Sequence, residues 1–344
     1  MMKVGLSGSE SRYQDQVNIA RTESQLESPR RARTHPDVCA VMVTYNPEPS
    51  FEQNVRALLP QVGKLIIVDN LSTSAAHPLI AKTASACDVE VIWNQQNLGV
   101  GAGLNTGIER ALSSGQYSWI ATFDQDSLVP PDYVAAILEA YAACPFQDKV
   151  AMIGANYKLA MREQAHAPIS VFREVKTLMT SGSFLKTFVF GVCGQFDESL
   201  FMDYVDHEFC LRLRLHGFKV VQASQAVLAH RLGSPTSHRF LWKRFMVTNY
   251  SPSRRYSNAR NRLIVYRRYL SSDPLWILHD IFKWFRQTTK LVLVEQNRIE
   301  KLGSLARGCW DGMREPLAAQ PAPTVALRDG AASERREQGP EVDG

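Results

Sequence analysis

The stretch that decides the fold begins with VCAVMVTYN at residues 38–46 and ends with WIATFDQD at residues 119–126. Both runs are short and apolar before their polar ends, as strands buried on both faces of a sheet are. Between them, KLIIVDN at 64–70 and VEVIWN at 89–94 have the same character, and segments of helical composition separate the four runs. This alternation predicts a mostly parallel sheet with helices on both faces.

Four side chains capable of contacting a ligand come where a predicted strand has just ended. They are Tyr45, Asp69, Asn97 and Asp126. Because ligands of such sheets bind at the carboxyl ends of the strands, these positions predict one common site.

Two carboxylates, Asp124 and Asp126, lie two residues apart at the end of the fourth predicted strand. Such a pair can reach one Mg²⁺ or Mn²⁺ ion, which prefers oxygen ligands and keeps waters and substrate phosphates in its shell. Asp and Ser are also good turn formers, so spacing alone favours a solvated turn equally. The position at the end of a buried strand favours the metal site.

A glycine-rich segment, NLGVGAGLNTG, occupies residues 97–107. It lacks the GxGxxG spacing of dinucleotide-binding folds, and it follows the third strand and not the first. We interpret residues 95–103 as a flexible loop close to a nucleotide, leading into a helix at Leu104. A plain turn before a helix explains the same residues.

Carboxylates crowd into the twelve residues 197–208, and Asp206 opens a predicted helix that ends at Gly217. One acid there can be a helix cap. Capping a helix requires only one of these carboxylates, so another can serve as a general base toward an acceptor hydroxyl. Its members are Asp197, Glu198, Asp203, Asp206 and Glu208. A lone histidine, His230, follows another strand-like run, where a structural role is the commoner one.

The composition of the 344 residues, 45% hydrophobic and 21% charged, suits a globular protein with a sizeable core. Six scattered cysteines without a CxxC pair predict buried free thiols and a reducing cytoplasm. The N-terminus has no apolar segment typical of a secretory signal. Residues 1–36 and 316–344 are predicted to be a disordered arm and a disordered tail.

Positive charge is concentrated in residues 231–314, with 17 Lys and Arg against 5 Asp and Glu, so the rest of the chain is net acidic. This imbalance predicts an anionic partner, either a phospholipid surface, a pyrophosphate-linked lipid or a nucleic acid. Since no nucleic-acid-reading motif is recognisable, no nucleic-acid partner is expected.

The run PLWILHDIFKWFRQTTKLVLV at 274–294 predicts a helix with charges too frequent for a membrane span. Its cations, His279, Lys283, Arg286 and Lys290, recur at helical spacing. Two interpretations stand level: residues 273–294 lie on an anionic membrane surface, or they pack on the preceding domain.

Taken in chain order, the quoted segments resemble a family 2 glycosyltransferase with the GT-A fold, from about residue 38 to about residue 270. The segments that carry the resemblance are VTYN, VDN, NLGVGAGLNTGI, DQD, TSGS, GQFDESLF, DYVDHEFCLR and AHRLG. Within the family, the sequences of these segments most resemble those of bacterial rhamnosyltransferases that use dTDP-L-rhamnose.

The resemblance implies an α/β, Rossmann-like GT-A domain over residues 37–270, with a nucleotide-sugar half at 37–130 and an acceptor half at 131–270. A basic amphipathic helical region, 271–315, would form a C-terminal extension.

The resemblance also implies roles for individual residues. The nucleotide sugar would contact Thr44, Tyr45, Asp69, Asn97, Gly99, Asn105 and Asp124. Mg²⁺ or Mn²⁺ bridging the diphosphate would be held by Asp126 and His230. The base would be Asp206, although Val205 stands where the family has Glu, which leaves Asp203 as an alternative. The acceptor side would comprise Ser181, Gly182, Phe196, Asp197, Glu198 and Asp203.

The implied reaction is metal-dependent transfer of a sugar, with inversion, to a glycan or lipid-linked glycan in surface-polysaccharide synthesis. The implied donor is dTDP-L-rhamnose, and the implied location is the cytoplasm at the inner face of the plasma membrane. Alternatives are a galactofuranosyl- or hexosyltransferase of the same fold and a non-catalytic nucleotide-sugar-binding protein. The acceptor, linkage and oligomeric state stay open.

Overall fold

A computed structural model describes residues 33–157, 170–228, 236–240, 243–247 and 249–317. Most of the predicted arm and tail, together with His230, lies outside these residues. The predictions for those segments and the metal-ligand role of His230 therefore stay predictions.

The first part of the chain alternates strand and helix, as the sequence predicts. The elements are β1 (Val38–Thr44), α1 (Phe51–Leu58), β2 (Lys64–Asp69), α2 (His77–Cys87), β3 (Glu90–Trp93), α3 (Gly99–Leu112) and β4 (Trp119–Asp124). The alternate residues of β1 enter two separate cores, with Cys39 and Val41 on one face of the sheet and Ala40 and Met42 on the other. A strand buried on both faces needs a continuous apolar run.

The second part of the chain is less regular. It contains α4 (Tyr133–Ala142), β5 (Val150–Gly154), β6 (Phe172–Val175), β7 (Ser183–Lys186), α5 (Phe188–Cys193), α6 (Val205–Leu215) and β8 (Lys219–Ala223). A two-stranded antiparallel hairpin follows, formed by β9 (Thr236–Phe240) and β10 (Lys243–Val247). Short 3₁₀ turns occur at Leu59–Gln61, Gln147–Lys149 and Glu198–Leu200.

The main sheet has the strand order β3-β2-β1-β4-β7-β5-β8-β6. Strands β3, β2, β1 and β4 are mutually parallel, while β7 and β6 run antiparallel to their neighbours. The chain leaves β1 toward β2 on one side and returns to β4 on the other, which makes the gap beyond β1 and β4 a ligand-binding crevice. The register aligns Thr44 with Asp69 and Val43 with Asp124, so the three strands end together.

Helix α3 corrects the predicted glycine loop, because the helix begins at Gly99 and not at Leu104. Its glycines face β1: a Cβ on Gly107 would lie 2.4 Å from Val41 Cγ1, and one on Gly103 would lie 2.9 Å from Val43 Cγ1. Close packing of the helix on the strand therefore requires glycine and outweighs its poor helix propensity.

Three helices end the described chain, α7 (Pro252–Tyr269), α8 (Pro274–Val294) and α9 (Arg298–Arg314). Helix α9 lies against α7 through glycines that approach its backbone. Helix α8 buries Trp276 and Ile277 in the core that also holds Tyr266 and Tyr269 of α7. Among the residues described, no helix is long and apolar enough to cross a membrane.

Candidate active site

A cleft of about 440 Å³ opens at the carboxyl ends of β1 and β4. Six of the residues predicted for the donor and metal line it: Thr44, Tyr45, Asn97, Gly99, Asp124 and Asp126. The remaining walls come from β1, the start of α3, the neighbouring loops and α7, and comprise Val43, Asn70, Val100, Gln125, Phe201, Met202, Tyr250 and Arg254. The structure therefore brings the residues that follow three different strands to one site.

Gln125, the middle residue of the DQD turn, anchors that turn to the end of β1. Its Oε1 accepts a hydrogen bond from the Tyr45 N–H at 2.8 Å, and its Nε2 donates to the Tyr45 carbonyl at 3.2 Å. Asn54 Nδ2 donates to the Gln125 carbonyl at 2.8 Å. Since Gln125 is held against β1, the carboxylates on either side of it are fixed along the cleft.

Ser181 and Gly182 hold the same turn through hydrogen bonds to Asp124 and to Thr122 of β4. The Asp124 N–H donates to Ser181 Oγ at 3.0 Å, and Ser181 Oγ lies 2.7 Å from Ser127 Oγ. Gly182 has φ +70° and donates its N–H to the Thr122 carbonyl at 2.6 Å. Both residues thus support Asp124 from buried positions, and the acceptor contact implied for them stays a prediction.

Asp69 is buried, and its carboxylate organises the loop after β2. Thr44 Oγ1 donates to Asp69 Oδ1 at 3.0 Å, and the Ser72 N–H donates to Asp69 Oδ2 at 2.9 Å. Asp69 also borders a second hollow of about 460 Å³, whose walls include His77 and Trp93. This hollow lies at the carboxyl ends of β2 and β3, so Asp69 does not line the cleft at the ends of β1 and β4.

The start of α3 is fixed by a pair of asparagines. Asn70 Nδ2 donates to Asn97 Oδ1 and to the Gly99 carbonyl, both at 3.0 Å. Gly99 has φ +87°, and a Cβ there would lie 2.3 Å from the Phe201 carbonyl oxygen. Glycine is required at this position because of both its backbone conformation and its close neighbour.

Asn105 is buried in the domain and does not line the cleft. Its Nδ2 donates to the Phe196 carbonyl at 3.0 Å and to Glu198 Oε1 at 2.9 Å, while its Oδ1 accepts from the Phe196 N–H at 3.0 Å. The amide therefore joins α3 to the 196–198 segment. The donor contact implied for Asn105 stays a prediction.

Asp197 forms an ion pair with Arg268 in the domain interior. Arg268 Nη1 lies 2.6 Å from Asp197 Oδ2, and the Ser199 N–H donates to Asp197 Oδ1 at 3.0 Å. Burial raises the pKa of this carboxyl, but the hydrogen bonds from Ser199 and Arg268 lower it below its ordinary value. These contacts give Asp197 a structural role, whereas neighbouring Glu198 is exposed.

The segment 201–204 lies at the cleft in an unusual conformation. Phe201, Asp203 and Tyr204 have φ of 41°, 64° and 67°. Left-handed backbone costs non-glycine residues about 1–3 kcal/mol each, so surrounding contacts must hold it. Asn261 Nδ2 supplies them, donating to the carbonyls of Met202 at 2.7 Å, Asp203 at 3.1 Å and Leu200.

Arg254, at the start of α7, provides the cleft with a cation. Its Nη2 donates to Asp203 Oδ1 at 3.0 Å, and its guanidinium lies 4.2 Å from the Tyr250 ring centre. Burial lowers the pKa of Arg254, but the hydrogen bond that it donates to Asp203 and the nearby charges, including Asp124, raise it above its ordinary value. In the sequence, Arg254 is one of the 17 Lys and Arg of residues 231–314, and no motif sets it apart from the others.

Asp206 occupies the first turn of α6, where its Oδ1 accepts the His207 N–H at 2.8 Å. Burial raises the pKa of Tyr157, and the charges of Asp124 and Asp206 raise it further. The charges of both carboxylates thus act on the same phenol, and Asp206 itself does not line the cleft. Its side chain is about one quarter exposed, at 23%.

The carboxylates fit a metal that is shared with a substrate. No group of three or more His, Cys, Asp or Glu side chains able to hold a metal ion occurs within the described ranges. Mg²⁺ in phosphate-transferring sites is bound through one or two carboxylates together with substrate phosphates. Asp124 and Asp126, which both line the cleft, would be that number of protein ligands.

Comparison with known proteins identifies a family and a relative that the chain resembles. The family model for glycosyl transferase family 2 matches residues 39–201. A curated relative, the dTDP-rhamnosyl transferase RfbF of Shigella flexneri, is 27% identical over 301 residues, which cover 81% of this chain and 96% of the relative.

Solved structures share the fold at low sequence identity. The crystal structure of residues 1–349 of TarS from S. aureus superposes with a TM-score of 0.50 at 14% identity, over 79% of this chain and 81% of that one. GalNAc-T7, crystallised with UDP, GalNAc and Mn²⁺, gives a TM-score of 0.51 at 10% identity, over 81% of this chain and 56% of that one. The chain therefore matches glycosyl transferase family 2 over residues 39–201, and it has the GT-A fold of these solved glycosyltransferases.

Proposed function

We propose that this enzyme transfers L-rhamnose from dTDP-L-rhamnose to a glycan or lipid-linked glycan in surface-polysaccharide synthesis. The observation that carries the proposal is the cleft, where two carboxylates and Arg254 meet at the crevice between β1 and β4. The dTDP-rhamnosyl transferase relative, matched over 96% of its length, supports the choice of sugar. The cytoplasm, at the inner face of the plasma membrane, is the proposed location.

A divalent cation is part of the proposal. Asp126, with Asp124 beside it, would hold Mg²⁺ or Mn²⁺ against the donor diphosphate, and His230 is the further ligand implied by the family resemblance. Bound there, the metal would offset charge on the leaving diphosphate as a Lewis acid. Arg254 contributes a second positive charge to the same cleft, and its guanidinium suits phosphate oxygens.

Asp206 is the proposed general base, which takes the proton of the acceptor hydroxyl while the anomeric carbon inverts. Its competitor, Asp203, is engaged by both Nε and Nη2 of Arg254, at 3.3 and 3.0 Å. The guanidinium therefore occupies both carboxylate oxygens of Asp203. Asp206 keeps an exposed side chain edge and is therefore preferred.

Two alternatives differ in substrate or in chemistry. A galactofuranosyl- or hexosyltransferase would use the same cleft with another nucleotide sugar. A nucleotide-sugar-binding protein without catalysis would not need Asp206, so the presence of Asp124, Asp126 and Asp206 together favours an enzyme.

A donor screen tests the proposal. The purified protein is incubated with dTDP-L-rhamnose, UDP-galactofuranose, UDP-glucose and UDP-galactose, with Mg²⁺, with Mn²⁺ or with EDTA, and released nucleotide is measured by chromatography. Selective, metal-dependent release of dTDP is expected, and Asp206→Asn is the matched control for catalysis. Selective turnover of another donor would overturn the sugar assignment. Donor binding without turnover, in the presence of a lipid-linked glycan fraction, would favour the binding protein.

A further inference from the structure

Helix α8 presents one face to the catalytic domain. Trp276, Ile277 and Leu291 are buried there, and Asp280 joins a buried network with Arg262, whose Nε lies 3.2 Å from Asp280 Oδ2. The helix is therefore fixed to the domain, as one of the two interpretations of the sequence predicted.

A second face of α8 exposes large apolar side chains to solvent. The exposed fractions are 73% for Leu275, 64% for Leu278, 59% for Phe282, 70% for Phe285 and 68% for Leu293. Positions 275, 278, 282 and 285 recur at intervals of three and four residues, which aligns them along one side of a helix. Contiguous exposed apolar surface of this kind marks an interaction site.

A row of cations borders the apolar face. On a helical wheel, the positions of His279, Lys283, Arg286 and Lys290 fall between the apolar face and the domain. The Arg286 guanidinium lies 6.0 Å from the Phe282 ring centre. Among residues 274–294, all of which the structure describes, the one carboxylate is Asp280, and it is buried.

We propose that this surface of α8 docks into the headgroup region of an anionic lipid bilayer. The apolar side chains would enter the acyl boundary, while the adjacent cations reach lipid phosphates, which is the arrangement of interfacial helices. The packed face keeps the catalytic domain on the aqueous side. The inference goes beyond the proposed transfer and does not depend on which sugar is transferred.

Charge distinguishes the bilayer from a second copy of this chain. An antiparallel two-fold contact between the apolar faces of two α8 helices would bring the two rows of cations together, with no exposed carboxylate of the helix to pair with them. Like charges in contact are unfavourable. An anionic lipid surface complements both the charge and the apolar character of the face.

Vesicle flotation of the full chain tests the proposal. Vesicles of phosphatidylcholine with phosphatidylglycerol are compared with vesicles of phosphatidylcholine alone. Wild-type protein is expected to float with the anionic vesicles, and less so at high salt. Lys283→Glu with Arg286→Glu should weaken partitioning about 10-fold or more, since each surface cation contributes about 1 kcal/mol. Phe282→Ser with Phe285→Ser should weaken it comparably, by removing buried apolar area.

The matched control reverses two exposed lysines elsewhere, Lys82→Glu with Lys149→Glu, and should float like wild type. Melting temperatures of all variants report folding. Equal flotation of wild type and both α8 variants would overturn the proposal. So would a wild-type dimer in sedimentation that Phe282→Ser with Phe285→Ser dissociates without any flotation, because the face would then bind a second copy.

Discussion

Arg254 and Asp203 are joined across the edge of the cleft, with Arg254 Nη2 3.0 Å from Asp203 Oδ1. The arginine comes from α7 and the aspartate from the left-handed segment before α6. The pair therefore links the C-terminal helices to the donor cleft, and it holds the guanidinium where a diphosphate is proposed to bind.

Arg254→Gln is expected to raise the KM for the nucleotide sugar about 10- to 100-fold, because hydrogen bonds to charged groups contribute roughly 1.5–3 kcal/mol. Arg254→Lys should recover part of this, since it keeps the charge and loses the planar fork. Steady-state kinetics measure the KM of both variants. Asp203→Asn is the control: if it raises KM as much as Arg254→Gln, Arg254 acts only by holding the segment.

Asp206→Asn should lower kcat about 10²- to 10⁴-fold, the usual contribution of a general base. Binding of dTDP should be unchanged, as measured by calorimetry, because Asp206 does not line the cleft. Near-normal turnover of Asp206→Asn, with a large loss in Asp203→Asn, would move the base to Asp203.

Gln125→Ala removes both hydrogen bonds between the DQD turn and Tyr45. We expect a loss of about 1–3 kcal/mol in the free energy of unfolding, at about 0.5–1.5 kcal/mol for each bond. The kcat/KM should fall further than stability alone explains, because Asp124 and Asp126 lose their fixed position. Urea unfolding and kinetics measured on the same samples separate the two effects. Unchanged kinetics would show that the turn holds its shape without Gln125.

Acid should weaken the attachment of α8. Burial raises the pKa of Asp280, but the charge of Arg262 and the hydrogen bonds from Tyr204 and Tyr266 lower it below its ordinary value. A depressed carboxyl pKa stabilises the fold above the unfolded pKa of about 3.9, and this contribution is lost as pH falls through the folded value. Asp280→Asn should cost about 3–5 kcal/mol at neutral pH, since it leaves Arg262 buried without its carboxylate.

The difference between wild type and Asp280→Asn in urea unfolding should therefore narrow as the pH falls from about 3.9, the pKa of the unfolded chain, through the lower pKa of the folded carboxyl. The exposed Asp88 offers a control, because Asp88→Asn removes a carboxylate away from this network. A difference that stays constant with pH would mean that the ionised form of Asp280 contributes no stability.

Gly107→Ala should destabilise the fold by about 1–3 kcal/mol, as overpacking a tight interior does. The cause is the contact of its Cβ with Val41 Cγ1. The double variant with Val41→Ala should cost less than the sum of the two single variants, since the smaller strand residue makes room. Gly303, whose Cβ would meet nothing within 4 Å, is the control, and Gly303→Ala should be neutral or stabilising. Simple additivity at Gly107 and Val41 would contradict the packing argument.

Local pattern was enough to predict β1 to β4, because each is a short apolar run bounded by polar residues. It was also enough to bring Tyr45, Asn97, Asp124 and Asp126 to one edge, since parallel strands share a carboxyl end. Local pattern predicted the start of α3 wrongly. The glycines of this helix are required by close contact with Val41 and Val43 of β1, which are distant in the sequence.

The sequence also did not predict which residues hold the site in place. Ser181 meets Asp124 because β7 is inserted antiparallel between β4 and β5, a pairing that no local pattern encodes. Arg254 reaches the cleft from 128 residues beyond Asp126 because α7 folds back toward the sheet. Sequence periodicity places residues on faces of their own element, and contacts between distant elements lie outside it.

Buried ion pairs join α7 to the two helices that follow it, and they limit how far the chain can be truncated from its C-terminal end. Arg262 is partnered by Asp280, and Arg255 by Glu295, which also binds Lys301 at 2.8 Å. A truncation at residue 270 would strip both buried arginines of their carboxylates. The smallest autonomously folding form of this transferase therefore extends through α9, and removal of the helical extension should yield insoluble protein instead of a minimal enzyme.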